Sequence, residues 1–170
     1  MRANTFLGLA AVSGIAIVAA FGAPALAATA TSNLGVSATV TNNCTISTTA
    51  LAFGSYDPVV THAATNLDGT GTVTVACTKG VAPTVGLGQG SNASGSTRRM
   101  TDGSSNFLTY EMYSDAGRTT VWSDSGGGLY APGAAASKTA RNFTVYGRVP
   151  SNQDVAAGSY SDTVVATVNF

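Results

Sequence analysis

Charge is scarce in this sequence. Lys plus Arg and Asp plus Glu number eight each, 9% of 170 residues, and the formal net charge is zero; an ordinary soluble domain carries about 25%. Without a basic patch the chain has no electrostatic footprint for nucleic acid or an anionic membrane, so neither is an expected partner. Histidine and tryptophan occur once each, at His62 and Trp122. Cys44 and Cys77 are the only cysteines. Two thiols and one imidazole are too few for a zinc site, and no CxxC pair is present. No metal, cofactor or small-molecule substrate is therefore expected. A helical period is missing too, since no window of about eleven residues after the first 27 repeats at helical spacing. What the chain does have is 44% hydrophobic residues in short alternating runs, the apolar surface that disordered chains lack.

Residues 1–27 read as an export signal. Arg2 supplies the positive end, "FLGLAAVSGIAIVAAFGA" the apolar stretch, and Ala25 to Ala27 the small residues a signal peptidase reads. A membrane-spanning helix is the alternative, opposed by Gly22, Pro24 and the lack of positive charge after the stretch. An even cysteine count in an exported protein reads as one disulfide, Cys44–Cys77. Closing a loop of about 33 residues stabilises by roughly 3–4 kcal/mol.

From Cys44 onward the chain alternates for a few residues, then breaks at Gly, Asn, Ser or Asp. Strands are expected in "CTISTTALAFGSY", "GTVTVACT", "APTVGLGQG", "FLTYEMYSD", "RNFTVYGRVP" and "SYSDTVVATVNF". "RTTVWSD" reads as a short edge strand, and "GSNASGSTRRMTDGSSN" as a long polar loop. About six strands with turn signals between them indicate an all-β sandwich, one strand short of the usual seven of an immunoglobulin-like domain.

Two further features bear on the missing strand. The sequence ends in its most regular run, with Val164, Ala166, Val168 and Phe170 in one register and no charge or proline to blunt an exposed edge. Ahead of Cys44, Leu34, Val36, Ala38 and Val40 alternate with small polar residues, a spare amphipathic strand. The pattern predicts that this strand of one copy completes the sandwich of the next. Such a contact is heterologous and propagates into a filament.

Sites for chemistry are poorly supported. His62 lies in a polar connection and reads as a solvated loop residue. Asp57 and Asp162 could form an acid–base pair, but lone carboxylates near strand ends commonly cap turns. "GLGQGSNASG" lacks the helix and lysine of a phosphate cradle. Arg98 and Arg99 read by default as a solvated basic pair. Trp122, Tyr113 and Tyr130 could make a sugar-binding surface, with packing the commoner role. Tyr160 could hold backbone in the manner of a tyrosine corner. The chain does not read as an enzyme.

Taken in order, "LAFGSYDP", "VTVACTKG", "RRM", "LTYEMYSDAGRTTVW" and the closing "FTVYGRVPSNQDVAAGSYSDTVVATVNF" resemble the archaic (Csu-type) chaperone–usher pilins, the spore coat protein U domain family. The resemblance implies an incomplete immunoglobulin-like β-sandwich lacking its last strand, exported through the periplasm to the cell surface. It implies a periplasmic chaperone, an outer-membrane usher, and neighbouring copies or related pilins as partners. The organisation expected is signal 1–27, donor segment 28–42 and pilin domain 43–170. Leu34, Val36, Ala38 and Val40 are the expected donor residues, and Val164, Ala166, Val168 and Phe170 the strand lining the acceptor groove. A structural subunit of an adhesive, biofilm-supporting fibre is the leading reading; a secreted coat or matrix protein, or a carbohydrate-binding adhesin module, is the alternative.

Overall fold

The computed structural model describes residues 26–170. The expected signal therefore lies outside the described residues, apart from Leu26 and Ala27. By its contacts the chain divides between Ala38 and Thr39. Residues 26–38 have no regular secondary structure, and all of them are exposed. The strand expected there has not formed, as is normal for an extended segment with no hydrogen-bonding partner.

The body holds seven strands. β1 (Cys44–Ala52), β2 (Leu67–Cys77), β6 (Arg141–Val149), β5 (Phe107–Tyr113) and β4 (Arg98–Thr101) form one antiparallel sheet in that spatial order. β3 (Thr84–Leu87) and β7 (Ala166–Asn169) pair as a second, two-stranded sheet. Alternation dictates what each strand buries. Val73, Val75 and Cys77 of β2, Leu108, Tyr110 and Met112 of β5, and Val145 and Val149 of β6 point inward, and Val85 and Leu87 of β3 face them. Trp122 fills the space between the sheets with no exposed surface, and its indole N–H donates to the Val85 carbonyl at 2.8 Å.

Cys44 and Cys77 are bonded to each other and are directly opposed at the first rung of the β1–β2 ladder. That ladder is regular as far as Thr49↔Thr72, then shifts before Ala52↔Thr70. The bulge bends β1 across its neighbour. Gly71 makes room for it, since a Cβ there would lie 3.1 Å from the Leu51 nitrogen and the Thr49 carbonyl oxygen. β2 begins at Leu67, four residues ahead of the expected start at Gly71, because Leu67 to Gly69 pair with Val149 to Gly147 of β6.

Several expectations are corrected. The expected polar loop, residues 90–106, contains β4, and Arg98 within it is fully buried. "RTTVWSD" forms only an isolated bridge, Tyr113↔Val121, and Trp122 belongs to the core, so no surface aromatic platform rests on it. His62 is 8% exposed rather than solvated. Its ring stacks on Tyr56 at 5.0 Å and its Nδ1 lies 2.9 Å from the Thr65 carbonyl oxygen. The closing run is regular over four residues only, and Phe170 at its end is 57% exposed.

Candidate functional site

β1 is one edge of the five-stranded sheet and β7 one edge of the two-stranded sheet; the opposite edges, β4 and β3, are bridged by Ser161 and Tyr130. The β1 and β7 edges approach without hydrogen bonding to each other. Between them runs a groove whose walls are Thr48–Leu51 and Phe53 on one side and Tyr160–Val164 with Ala166 on the other. Its floor is the core itself: Val73, Leu87, Met112 and Val145. This part has a volume of about 390 Å³. It adjoins a second hollow of about 780 Å³, lined by Tyr56, Leu67, Leu108, Val149 and Val155. Leu51, Phe53, Met100 and Tyr160 line both. The sandwich is open along one seam.

The sequence accounts for the seam locally. Leu51 and Phe53, turned inward by the β1 bulge, lie over Gly147, where a Cβ would come within 2.7 Å of Leu51 Cδ2 and Phe53 Cζ. The opposite wall is pinned from behind. Asp162 accepts hydrogen bonds from the Tyr110 hydroxyl at 2.7 Å and from the Asn92 backbone and side-chain amides at 3.1 and 2.9 Å. Burial, and then the bond to Asp162, push the Tyr110 hydroxyl well above its ordinary pKa, so it stays a neutral donor. The Tyr160 hydroxyl donates to the Ala156 carbonyl at 2.8 Å, the backbone-holding role its position suggests.

Arg98 secures β3, the strand on which β7 is templated. Its Nη2 donates to the carbonyls of Leu87, Gly88 and Trp122 at 2.7, 2.9 and 2.8 Å, and its Nε to Gly88 at 3.0 Å. Nη1 pairs with Glu111. A fixed fork of donors is what lets one side chain satisfy this many acceptors. An inward arginine in a polar run was the residue that sequence reasoning missed. Its one cue was the apolar Met100 two positions on.

Of the expected groove residues, Val164, Ala166 and Val168 are half-buried and pack on the core. Val164 and Ala166 line the groove. Val36 and Val40 are 89% and 82% exposed, and Leu34 87%. Asp162 is tied to β5 and to the Asn92 loop by the bonds above, whereas the Asp57 carboxylate caps its own turn, accepting the N–H groups of Val59, Val60 and Thr61. Those bonds, Val60 first, hold its pKa below the usual carboxylate value.

With seven strands and one seam still open, the fold is that of an incomplete immunoglobulin-like sandwich. The Spore Coat Protein U domain matches residues 30–167, and the chain belongs to that family. It is 43% identical over 176 residues to Protein U of Myxococcus xanthus, an alignment covering 95% of this chain and 96% of the relative. Its fold is similar to that of a chain in the CsuC–CsuE chaperone–tip adhesion subunit pre-assembly complex, from archaic chaperone–usher Csu pili of Acinetobacter baumannii. There the identity is 22% and the TM-score 0.57, with 78% of this chain and 40% of that chain covered.

Proposed function

We propose that the protein is a structural subunit of a secreted surface fibre that polymerises by donor-strand exchange. One observation carries the reading: an apolar groove that reaches the core and is flanked by two unpaired strand edges. A strand laid into it would gain hydrogen bonds from both edges while burying alternate side chains. Neither edge carries charge or proline, the usual devices against pairing.

In this reading residues 1–27 direct export, 28–42 are the donor segment and 43–170 the accepting domain. Leu34, Val36 and Val40 enter a neighbour's groove, each contributing about 1.5–3 kcal/mol on full burial, with less from Ala38. Backbone pairs add about 0.5–1.5 kcal/mol net apiece. Until a neighbour arrives, a periplasmic chaperone covers the groove, and an outer-membrane usher passes the subunit to the surface. The similarity to the chaperone–subunit complex supports this scheme through its shared fold. The family description favours a second reading, in which the same polymer is laid down as coat or matrix material.

The test is fibre yield from cells producing Val36→Asp, Val40→Asp, Ser37→Asp or Thr39→Asp. The two valine variants should abolish assembly while the serine and threonine variants assemble nearly normally. Equal effects at all four positions would remove the donor-strand reading.

A further inference from the structure

A chain that carries both a donor strand and an open groove faces a competing reaction, in which its own strand folds back into its own groove. We infer that Thr78 blocks this route by holding the start of the body in line with β1, which directs the donor segment to another copy. The inference rests on the donor-strand reading above.

Residues Thr41 to Asn43 join the donor segment to β1, and β1 forms one wall of the groove. The shortest route back is a hairpin antiparallel to the free edge of β1. With Asn42 and Asn43 as a two-residue loop, Thr41 would lie opposite Cys44, Thr39 opposite Ile46 and Ser37 opposite Thr48. Opposed residues share a face, so polar side chains would enter the groove and Val36 and Val40 would point to solvent. A three-residue loop, Thr41 to Asn43, moves the register by one. Val40 then lies opposite Cys44, Ala38 opposite Ile46 and Val36 opposite Thr48, with the apolar set inward. Asparagine adopts the left-handed conformations such loops need more readily than most residues. Self-insertion is therefore open by one loop length, through these three residues.

Those residues are occupied otherwise. The Asn43 carbonyl accepts the Thr78 N–H at 2.8 Å, which extends the β1–β2 ladder one rung beyond the disulfide. Asn43 N–H donates to Thr78 Oγ1 at 3.1 Å, and the Thr78 hydroxyl donates to the Thr41 carbonyl at 3.2 Å. Neither Asn42 nor Asn43 has a positive φ; among the described non-glycine residues only Ser105, Arg118 and Asn152 do. A hairpin would have to break the side-chain bonds and turn both asparagines. The threonine hydroxyl thus acts as a positioning group that selects intermolecular over intramolecular insertion.

The experiment compares wild type, Thr78→Val and Thr78→Ser, each refolded without chaperone at several concentrations. Fibres and monomers are separated by size and the monomers heated. Thr78→Val removes both side-chain bonds while keeping the shape. It should raise the ratio of heat-resistant monomer to fibre about tenfold, the equivalent of two lost hydrogen bonds. Thr78→Ser should restore the wild-type ratio. The heat-resistant monomer of Thr78→Val should disappear when residues 28–41 are also deleted. A Thr78→Val subunit that partitions like wild type, or a Thr78→Ser subunit that behaves like Thr78→Val, overturns the inference and leaves the donor-strand reading intact. Normal polymerisation of the wild-type sequence lacking residues 28–41 overturns both.

Discussion

Arg98 Nη2 donates to the backbone carbonyl of Trp122 at 2.8 Å, while both side chains are fully buried. Trp122 in turn donates its indole N–H to Val85 on β3. The pair joins β4, the loop after β5 and the small sheet, the only support that β7 has on its paired side. A charge is kept in the core because several carbonyls at strand ends have no other donor.

Arg98→Lys should therefore be far from conservative. An ammonium cannot reproduce the fork, so buried carbonyls lose partners and Glu111 loses its directed bond. A loss of about 2–4 kcal/mol is expected in urea unfolding of the purified subunit. Unchanged stability would show that charge alone suffices at this position.

The same residue explains where the sequence was hard to read. β2, β5 and β6 were legible because their inward residues are apolar and their outward ones polar. β4 hides an inward arginine between polar neighbours, so its pattern is inverted and it passed for a loop. His62 reads as solvated because an isolated residue in a polar connection gives no period, and only its contacts with Tyr56 and Thr65 bury it; for Trp122 the commoner role, packing, is the one it has. The groove was legible indirectly, through a spare amphipathic segment and a closing run without protective charge; the expected count of about six strands was no guide, since the body holds seven. Its β1 wall was not, because the bulge in β1 and the glycines beneath it act through space.

Removing the disulfide should cost stability without moving the fold. Cys44 and Cys77, 33 residues apart, close a loop whose unfolded-state entropy amounts to about 3–4 kcal/mol. The double variant Cys44→Ser, Cys77→Ser is expected to unfold at lower urea by that amount. Equal midpoints for the variant and oxidised wild type would count against a stabilising role.

Asp68 sets a small acid dependence. Its hydrogen bonds from Arg148, at 2.7 and 2.9 Å, lower its pKa, with the nearby Arg118 charge assisting. A depressed folded-state value means the contribution is present above the unfolded value of about 3.9 and is lost as pH falls through the lower folded one. The pair is partly solvated, so less than about 1 kcal/mol is at stake. Asp68→Asn should be slightly less stable than wild type at neutral pH, and the gap should close under strong acid. A gap that stays constant down to about pH 2 would exclude ionisation as its cause.

Gly147→Ala tests the groove from beneath. The added methyl would lie 2.7 Å from the ends of Leu51 and Phe53, side chains that line both hollows. Because they border open space, they can yield by moving into it. The subunit's own stability should then fall by only about 1–2 kcal/mol. A donor strand needs that space, so fibre assembly should suffer much more than stability does. Val75→Ala is the control: Val75 is fully buried and absent from the groove lining, and the smaller side chain costs roughly 1–3 kcal/mol. At matched loss of stability, Gly147→Ala should assemble far less fibre than Val75→Ala. If the two yields follow stability alone, the space between β1 and β7 is not where the neighbouring subunit binds.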